Sequence, residues 1–204
     1  MTEEQWLASQ DAREMLAFLR YKQMSGRKYR LYACAAVRLL WQHLDDERSR
    51  HAVELAERFA DGEVTRKQLA DSEARIEAQR GRSGAARKTL LRSARMAATD
   101  VTFSTTRSPL PDLLRCVFRH PARPPLAPDP GWLASNGGVV RALAQGVYAE
   151  RQLPQGTLDP NRLLVLSDAI EEAGCDDEEI LGHLRHPGPH IRGCWVIDLL
   201  LGKQ

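Results

Sequence analysis

The sequence predicts an all-α protein, and three observations support this fold class. Two segments, at about residues 27–44 and 190–201, are apolar around nearly the whole helical circumference, as expected of helices buried on all sides. N-cap signals recur, for example Thr2 followed by Gln5 and Asp11 followed by Glu14. The one β-prone run, residues 101–107, is short. We therefore predict a compact multi-helix domain with two core helices.

Each remaining element follows from a periodic apolar pattern and a start or stop signal. Gly62 and Gly174 end helices, while Pro109 and Pro160 can occupy first helical turns. A Pro-rich strap at 119–137 crosses the surface, with Trp132 as its anchor. In chain order we predict a short helix that carries Trp6 and Leu7, one that carries Met15 to Leu19, a long helix at about 27–44, one that follows a cap at Asp45 or Asp46 and ends at Gly62, two helices within 66–95, one from Pro109 to Phe118, one at about 138–151, one from Pro160 that ends at Gly174, a short one after Asp176 that carries Ile180 to Leu184, and the last at 190–201. We predict one domain over residues 1–204, with a sub-domain seam at the strap.

Composition is that of an ordinary globular protein. The 204 residues are 43% hydrophobic and 27% charged, with a formal net charge of +2, too small to indicate a nucleic-acid binder by itself. No run approaches the 18 apolar residues of a membrane-spanning helix, and the first residues do not resemble a signal peptide. Four cysteines in such a chain are expected to be reduced thiols. We therefore expect a cytoplasmic location and no membrane partner.

The sharpest candidate for chemistry is a metal site near the end of the chain. If residues 190–201 are helical, His190, Cys194 and Asp198 share one face, and His183 and Cys175 lie just upstream. We name Cys175, His183, His190 and Cys194 as candidate ligands, for which zinc would be the cofactor. The spacing matches no standard zinc motif, and the favoured alternative is that Cys194 is a small core residue. No catalytic residue and no organic cofactor site is predicted.

Asp198 lies within an apolar run and should need a charged partner if it is buried. We predict that it is paired with an arginine of the other core helix; Arg38 is the favoured partner and Arg30 is the alternative.

Residues 66–95 carry nine basic and three acidic residues, a local net charge of +6. Lys88, Arg92 and Arg95 fall on one helical face and could contact phosphate backbones. The favoured alternative is a solvated face, because no aromatic residues are interleaved with the basic ones.

The closing stretch AGCDDEEILGHLRHPGPHIRGCWVIDLLLGK resembles the closing block of a family of uncharacterised bacterial proteins. The opening stretches MTEEQWL and RKYRLYACAAVR and the region at 113–132 are also similar to that family. A cysteine often stands in that family where this chain has Leu184, a departure that weakens a thiol-rich site built on the family block. The resemblance implies a shared fold and brings no activity.

These observations favour a non-enzymatic helical module that acts in protein–protein interaction or regulation, with another protein as its partner. The first alternative is a nucleic-acid-associated accessory protein that uses the basic 66–95 helices. The second is a small zinc- or thiol-dependent enzyme.

Overall fold

The computed structural model describes residues 1–22, 24–44, 47–77 and 109–203. Within these ranges the chain is all-α, as predicted, with isolated β-bridges and no strand. The α-helices are α1 (Glu3–Ala8), α2 (Ala12–Leu19), α3 (Gly26–Arg38), α4 (Glu47–Ala60), α5 (Arg66–Glu77), α6 (Leu110–Val117), α7 (Pro130–Ala134), α8 (Val139–Ala149), α9 (Pro160–Glu172), α10 (Glu178–Arg185) and α11 (Trp195–Leu201). Short 3₁₀ turns occupy Trp41–His43 and Ser135–Gly137. None of the helices in the described ranges has the length and apolarity needed to cross a bilayer.

The chain divides into two compact units, Met1–Arg115 and Cys116–Gln204. The boundary lies inside α6, a few residues before the predicted seam at 119–137. The Pro-rich segment itself has no regular structure until α7 begins at Pro130.

The first unit is organised around α3, the first predicted core helix. Ten consecutive residues, from Tyr29 to Arg38, are buried, and α3 packs against α4, which in turn packs against α5. The helix is shorter than predicted and ends at Arg38, with the 3₁₀ turn following. Although arginines stand near both ends of α3, its apolar residues face in all directions, so the helix is buried at the centre of this unit.

The buried charge of Arg38 is paired with a glutamate of α4. Its Nε and Nη2 donate to the two carboxylate oxygens of Glu57 in α4, at 2.7 and 2.9 Å. Both side chains are almost completely buried. Burial lowers the pKa of Arg38, but the hydrogen bonds and charge of Glu57 outweigh it and the pKa is raised, so the arginine stays charged. Asp198 lies in the second unit, and its pairing with Arg38 stays a prediction.

The second unit is built around α8, which packs against α7, α9 and α11. Helix α10 packs against both α9 and α11, so the C-terminal half of the unit is a small layered bundle. Capping side chains set the helix starts. Asp159 accepts from the amides of Asn161 and Arg162, and Asp177 accepts from those of Glu179 and Ile180.

The second predicted core helix is buried but begins later than expected. It starts at Trp195, and residues 187–194 form an irregular connection. Gly193 has a φ of 91°, a left-handed conformation that a continuous helix cannot include, and Ile191 forms an antiparallel bridge with Thr157. The prediction that His190, Cys194 and Asp198 share one helical face is therefore wrong. Asp198 is buried, as predicted, at 1% exposure.

Candidate metal centre

Four metal-binding side chains converge within the second unit. The ligand atoms of Cys116, His183, His190 and Cys194 all lie within 4.8 Å of one another. Cys116, His190 and Cys194 are buried, whereas His183 is half-buried. Three separate segments supply them: the last turn of α6, the last turn of α10, and the connection that precedes α11.

His183 is placed by the end of α10. The helix stops two residues later, because His186 precedes Pro187 and takes an extended conformation (φ −64°, ψ 138°). The imidazole packs edge-on against the His190 ring, with centroids 4.9 Å apart, and against the indole of Trp195 at 5.1 Å. These two rings hold the half-buried ligand against the cluster.

His190 is placed by a tight turn that requires glycine at 188. Gly188 has a φ of 98°, and a Cβ at this position would lie 2.9 Å from the His190 amide nitrogen and 3.3 Å from its Cδ2. The His190 carbonyl accepts a hydrogen bond from the Leu158 amide at 2.9 Å. The backbone on both sides of the imidazole is thus fixed.

The hydrogen bonds of His190 select the ring nitrogen that faces the cluster. Nε2 lies 2.8 Å from the carbonyl oxygen of His186, which can only accept, so Nε2 carries the proton. In the neutral ring Nδ1 then has a free lone pair, and it lies 3.9 Å from Cys116 Sγ. A backbone acceptor on the distal nitrogen is the usual way in which proteins orient a metal-binding histidine.

Each of the two sulfur atoms lies within hydrogen-bonding distance of a nitrogen atom. Cys116 Sγ accepts a hydrogen bond from the amide of Ile191 at 3.4 Å, and Cys194 Sγ lies 3.3 Å from His183 Nε2. Burial raises the pKa of the Cys194 thiol, but hydrogen bonding to Cys116 and the charge and hydrogen bonds of His183 and His190 outweigh burial and hold the pKa well below its usual range. The pKa of His190 is raised: burial lowers it, but the neighbouring Cys194 outweighs burial.

The dimensions of the cluster fit a tetrahedral zinc ion. Zn–S bonds of about 2.3 Å and Zn–N bonds of about 2.0–2.1 Å require ligand atoms roughly 3.3–3.8 Å apart. Two sulfur–nitrogen distances, 3.3 Å for Cys194 with His183 and 3.9 Å for Cys116 with His190, fall on either side of the expected value. The widest separation, 4.8 Å, exceeds the tetrahedral edge by roughly 1 Å. Zinc binding would therefore bring the most widely spaced ligand atoms together by roughly 1 Å.

An ion-pair layer outside the cluster fixes the chain that follows Cys116. Arg119 donates through Nε and Nη2 to the carboxylate of Glu179, at 2.9 and 2.6 Å, and its guanidinium lies 5.7 Å from the centre of the Trp195 ring. Glu179 precedes His183 by four residues and so lies on the same face of α10. The pair therefore joins the segment of Cys116 to the helix of His183.

Three of the four predicted ligands, His183, His190 and Cys194, belong to the cluster, and Cys116 stands where Cys175 was proposed. Cys175 is buried at the opposite end of α10, near the Asp177 amide, which lies roughly 9 Å along the helix axis from His183. Burial raises the pKa of its thiol. Cys116 precedes His183 by 67 residues, a separation in which no spacing motif can be recognised. Sequence reasoning placed Cys116 only in the predicted helix that runs from Pro109 to Phe118, with no sign of a ligand role.

The predicted nucleic-acid contacts Lys88, Arg92 and Arg95 lie outside the described residues. Helix α5 covers only the first part of the basic segment, so the contact of this segment with nucleic acid stays a prediction.

The cluster can bind a metal or, through the Cys194–His183 pair, could in principle supply an activated thiolate. Nucleophilic catalysis on an organic substrate needs a sulfur that is exposed at the protein surface. Cys194 has no exposed surface, and two imidazoles and a second sulfur surround its Sγ. Metal binding is therefore the chemistry that the arrangement favours.

Comparison of the chain with protein-family models, with curated proteins and with solved structures gave no match.

Proposed function

We propose that the second unit is a zinc-binding module, in which Cys116, His183, His190 and Cys194 hold one structural zinc ion. The observation that carries this proposal is the convergence of four ligand atoms within 4.8 Å, three of them on buried side chains. Two thiolates and two neutral imidazoles form a ligand set that suits zinc better than magnesium or calcium, which prefer oxygen.

Four protein ligands favour a structural role over a catalytic one. Catalytic zinc sites keep one coordination position for water or substrate, whereas structural sites are closed by protein side chains. Zinc here would join the ends of α6 and α10 to the start of α11, and its binding free energy would stabilise the fold.

The chain as a whole is proposed to be a non-enzymatic helical module that binds another protein. The closed ligand set supports this proposal, because it supplies stability and no reactive position. The exposed apolar residues Leu164 and Val165 on α9 (43% and 54% exposed) offer a surface for such a partner.

Elemental analysis of the full chain, purified without a histidine tag, tests the zinc site. We expect one zinc per chain. Substitution by Co²⁺ should give the visible absorption of a tetrahedral site with sulfur ligands, unchanged by added cyanide or azide because no position is open. A metal-free protein that also fails to take up Zn²⁺ or Co²⁺ would refute the site, and a spectrum that shifts with azide would refute its closed, structural character.

A further inference from the structure

We propose that the cluster is a redox-sensitive zinc switch, in which hydrogen peroxide joins Cys116 and Cys194 in a disulfide and releases the zinc ion. This inference rests on the zinc site proposed above and adds its regulation. It is carried by the composition of the cluster, in which the two sulfur ligands are each other's neighbours.

The two sulfurs are close enough to pair after a small movement. They lie within 4.8 Å of each other, and a disulfide brings two sulfurs to about 2.05 Å. Cys194 lies in the irregular connection directly before α11, next to Gly193, whose positive φ marks a bend. Cys116 lies in the last turn of α6. Neither cysteine is in the middle of a helix, so the two sulfurs can approach each other without breaking a helix.

The chemistry balances with peroxide as the oxidant. One thiolate attacks hydrogen peroxide, the O–O bond breaks, and the sulfur becomes a sulfenic acid while hydroxide leaves. The second thiolate attacks that sulfur, the S–S bond forms, and a second hydroxide leaves. With two protons taken from solvent, two thiolates and one peroxide give one disulfide and two waters. The two sulfurs are oxidised by two electrons, and the zinc ion, left with two imidazoles, dissociates.

The positions of the four thiols predict a specific product. Peroxide is small and would reach the cluster from the side of His183, the one ligand that is only half-buried. The other two thiols of the chain are both buried: Cys34 lies in the first unit, and Cys175 lies outside the cluster. Burial raises the pKa of Cys175 and keeps it as the less reactive thiol. Oxidation should therefore join Cys116 to Cys194.

The test treats the zinc-loaded full chain with hydrogen peroxide, follows zinc with a colorimetric chelator, and identifies the disulfide by mass spectrometry of non-reduced peptides. We expect release of one zinc per chain, a fall from four free thiols to two, and a peptide pair that contains Cys116 and Cys194. A dithiol reductant with added Zn²⁺ should restore both zinc and thiols. Cys175→Ala and Cys34→Ala keep both sulfur ligands and should behave as the parent does.

Each other outcome has a definite meaning. A chain that binds one zinc but keeps it under peroxide, or that releases it with sulfinic acid or a different disulfide, overturns the switch and leaves the structural zinc site standing. A chain that binds no zinc refutes the site and the switch together. Because the disulfide is identified in the parent protein, the result does not depend on whether a variant folds.

Discussion

Replacing Cys116 by serine should weaken zinc binding about 10²–10³-fold, whereas the same change at Cys175 should leave the affinity unchanged. The pair tests the ligand that the structure supplies against the one that sequence reasoning chose. Both side chains are buried cysteines in the second unit, at 2% exposure each. General effects of placing a hydroxyl in the core should therefore be similar for the two variants.

The expected loss of zinc affinity follows from dividing the free energy of zinc binding equally among the four ligands. Structural zinc in small domains contributes about 10–16 kcal/mol at neutral pH, which gives roughly 2.5–4 kcal/mol for each ligand. At about 1.4 kcal/mol per tenfold change in an equilibrium constant, that loss corresponds to the expected 10²–10³-fold. The orienting hydrogen bond from the Ile191 amide to Cys116 Sγ would be weakened too, which adds to the effect.

Competition titration against a chromophoric chelator measures both affinities, with circular dichroism of the metal-free proteins as the control for folding. Equal affinities in the parent and Cys116→Ser would refute the ligand assignment. So would a loss in Cys175→Ser as large as that in Cys116→Ser.

Three further predictions follow from named contacts. Glu57→Gln should lower the free energy of unfolding by about 3–5 kcal/mol, because it leaves the Arg38 charge buried without this carboxylate. The double variant with Arg38→Met should lose much less of that free energy. Additive losses of the two single variants in chemical denaturation would contradict the pairing. Gly188→Ala should lower the free energy of unfolding by about 1–2 kcal/mol, because alanine disfavours the positive φ at this position, and should weaken zinc binding by displacing His190. Gly182→Ala, in open space on α10, is the control and should be neutral or stabilising. Equal zinc affinities in the two variants would contradict the role of the turn. Zinc affinity should fall as pH falls, because protons compete for thiolates and imidazoles; an affinity that does not change between neutral and mildly acidic pH would argue against these ligands.

The helices could be predicted from local patterns, because their signals are local. The capping box of Thr2 and Gln5 forms as expected, and the apolar run around Leu31 and Val37 is buried throughout. The start of the last helix could not be placed, because the apolar run of residues 191–201 continues smoothly through Gly193. The chain bends at Gly193, and Ile191 is held in a bridge with Thr157, a contact that the local sequence pattern does not encode.

The candidate site was predicted in part for the same reason. His183, His190 and Cys194 lie within 12 residues of one another, so the sequence could group them. Cys116 joins them only because α6 ends beside the turn at Ile191, and no spacing in the sequence encodes that approach. Glu57, which supplies a carboxylate to Arg38, was missed in a similar way, because it lies in the neighbouring α4 and not in one of the two predicted core helices.

Zinc K-edge X-ray absorption of the zinc-loaded chain tests the central claim most directly. The assignment predicts a four-coordinate ion with two sulfurs at about 2.3 Å and two imidazole nitrogens at about 2.0–2.1 Å, and replacement of one of the two sulfurs by a lighter ligand in Cys116→Ser. A shell of oxygen and nitrogen only, or two sulfurs retained in Cys116→Ser, would contradict it.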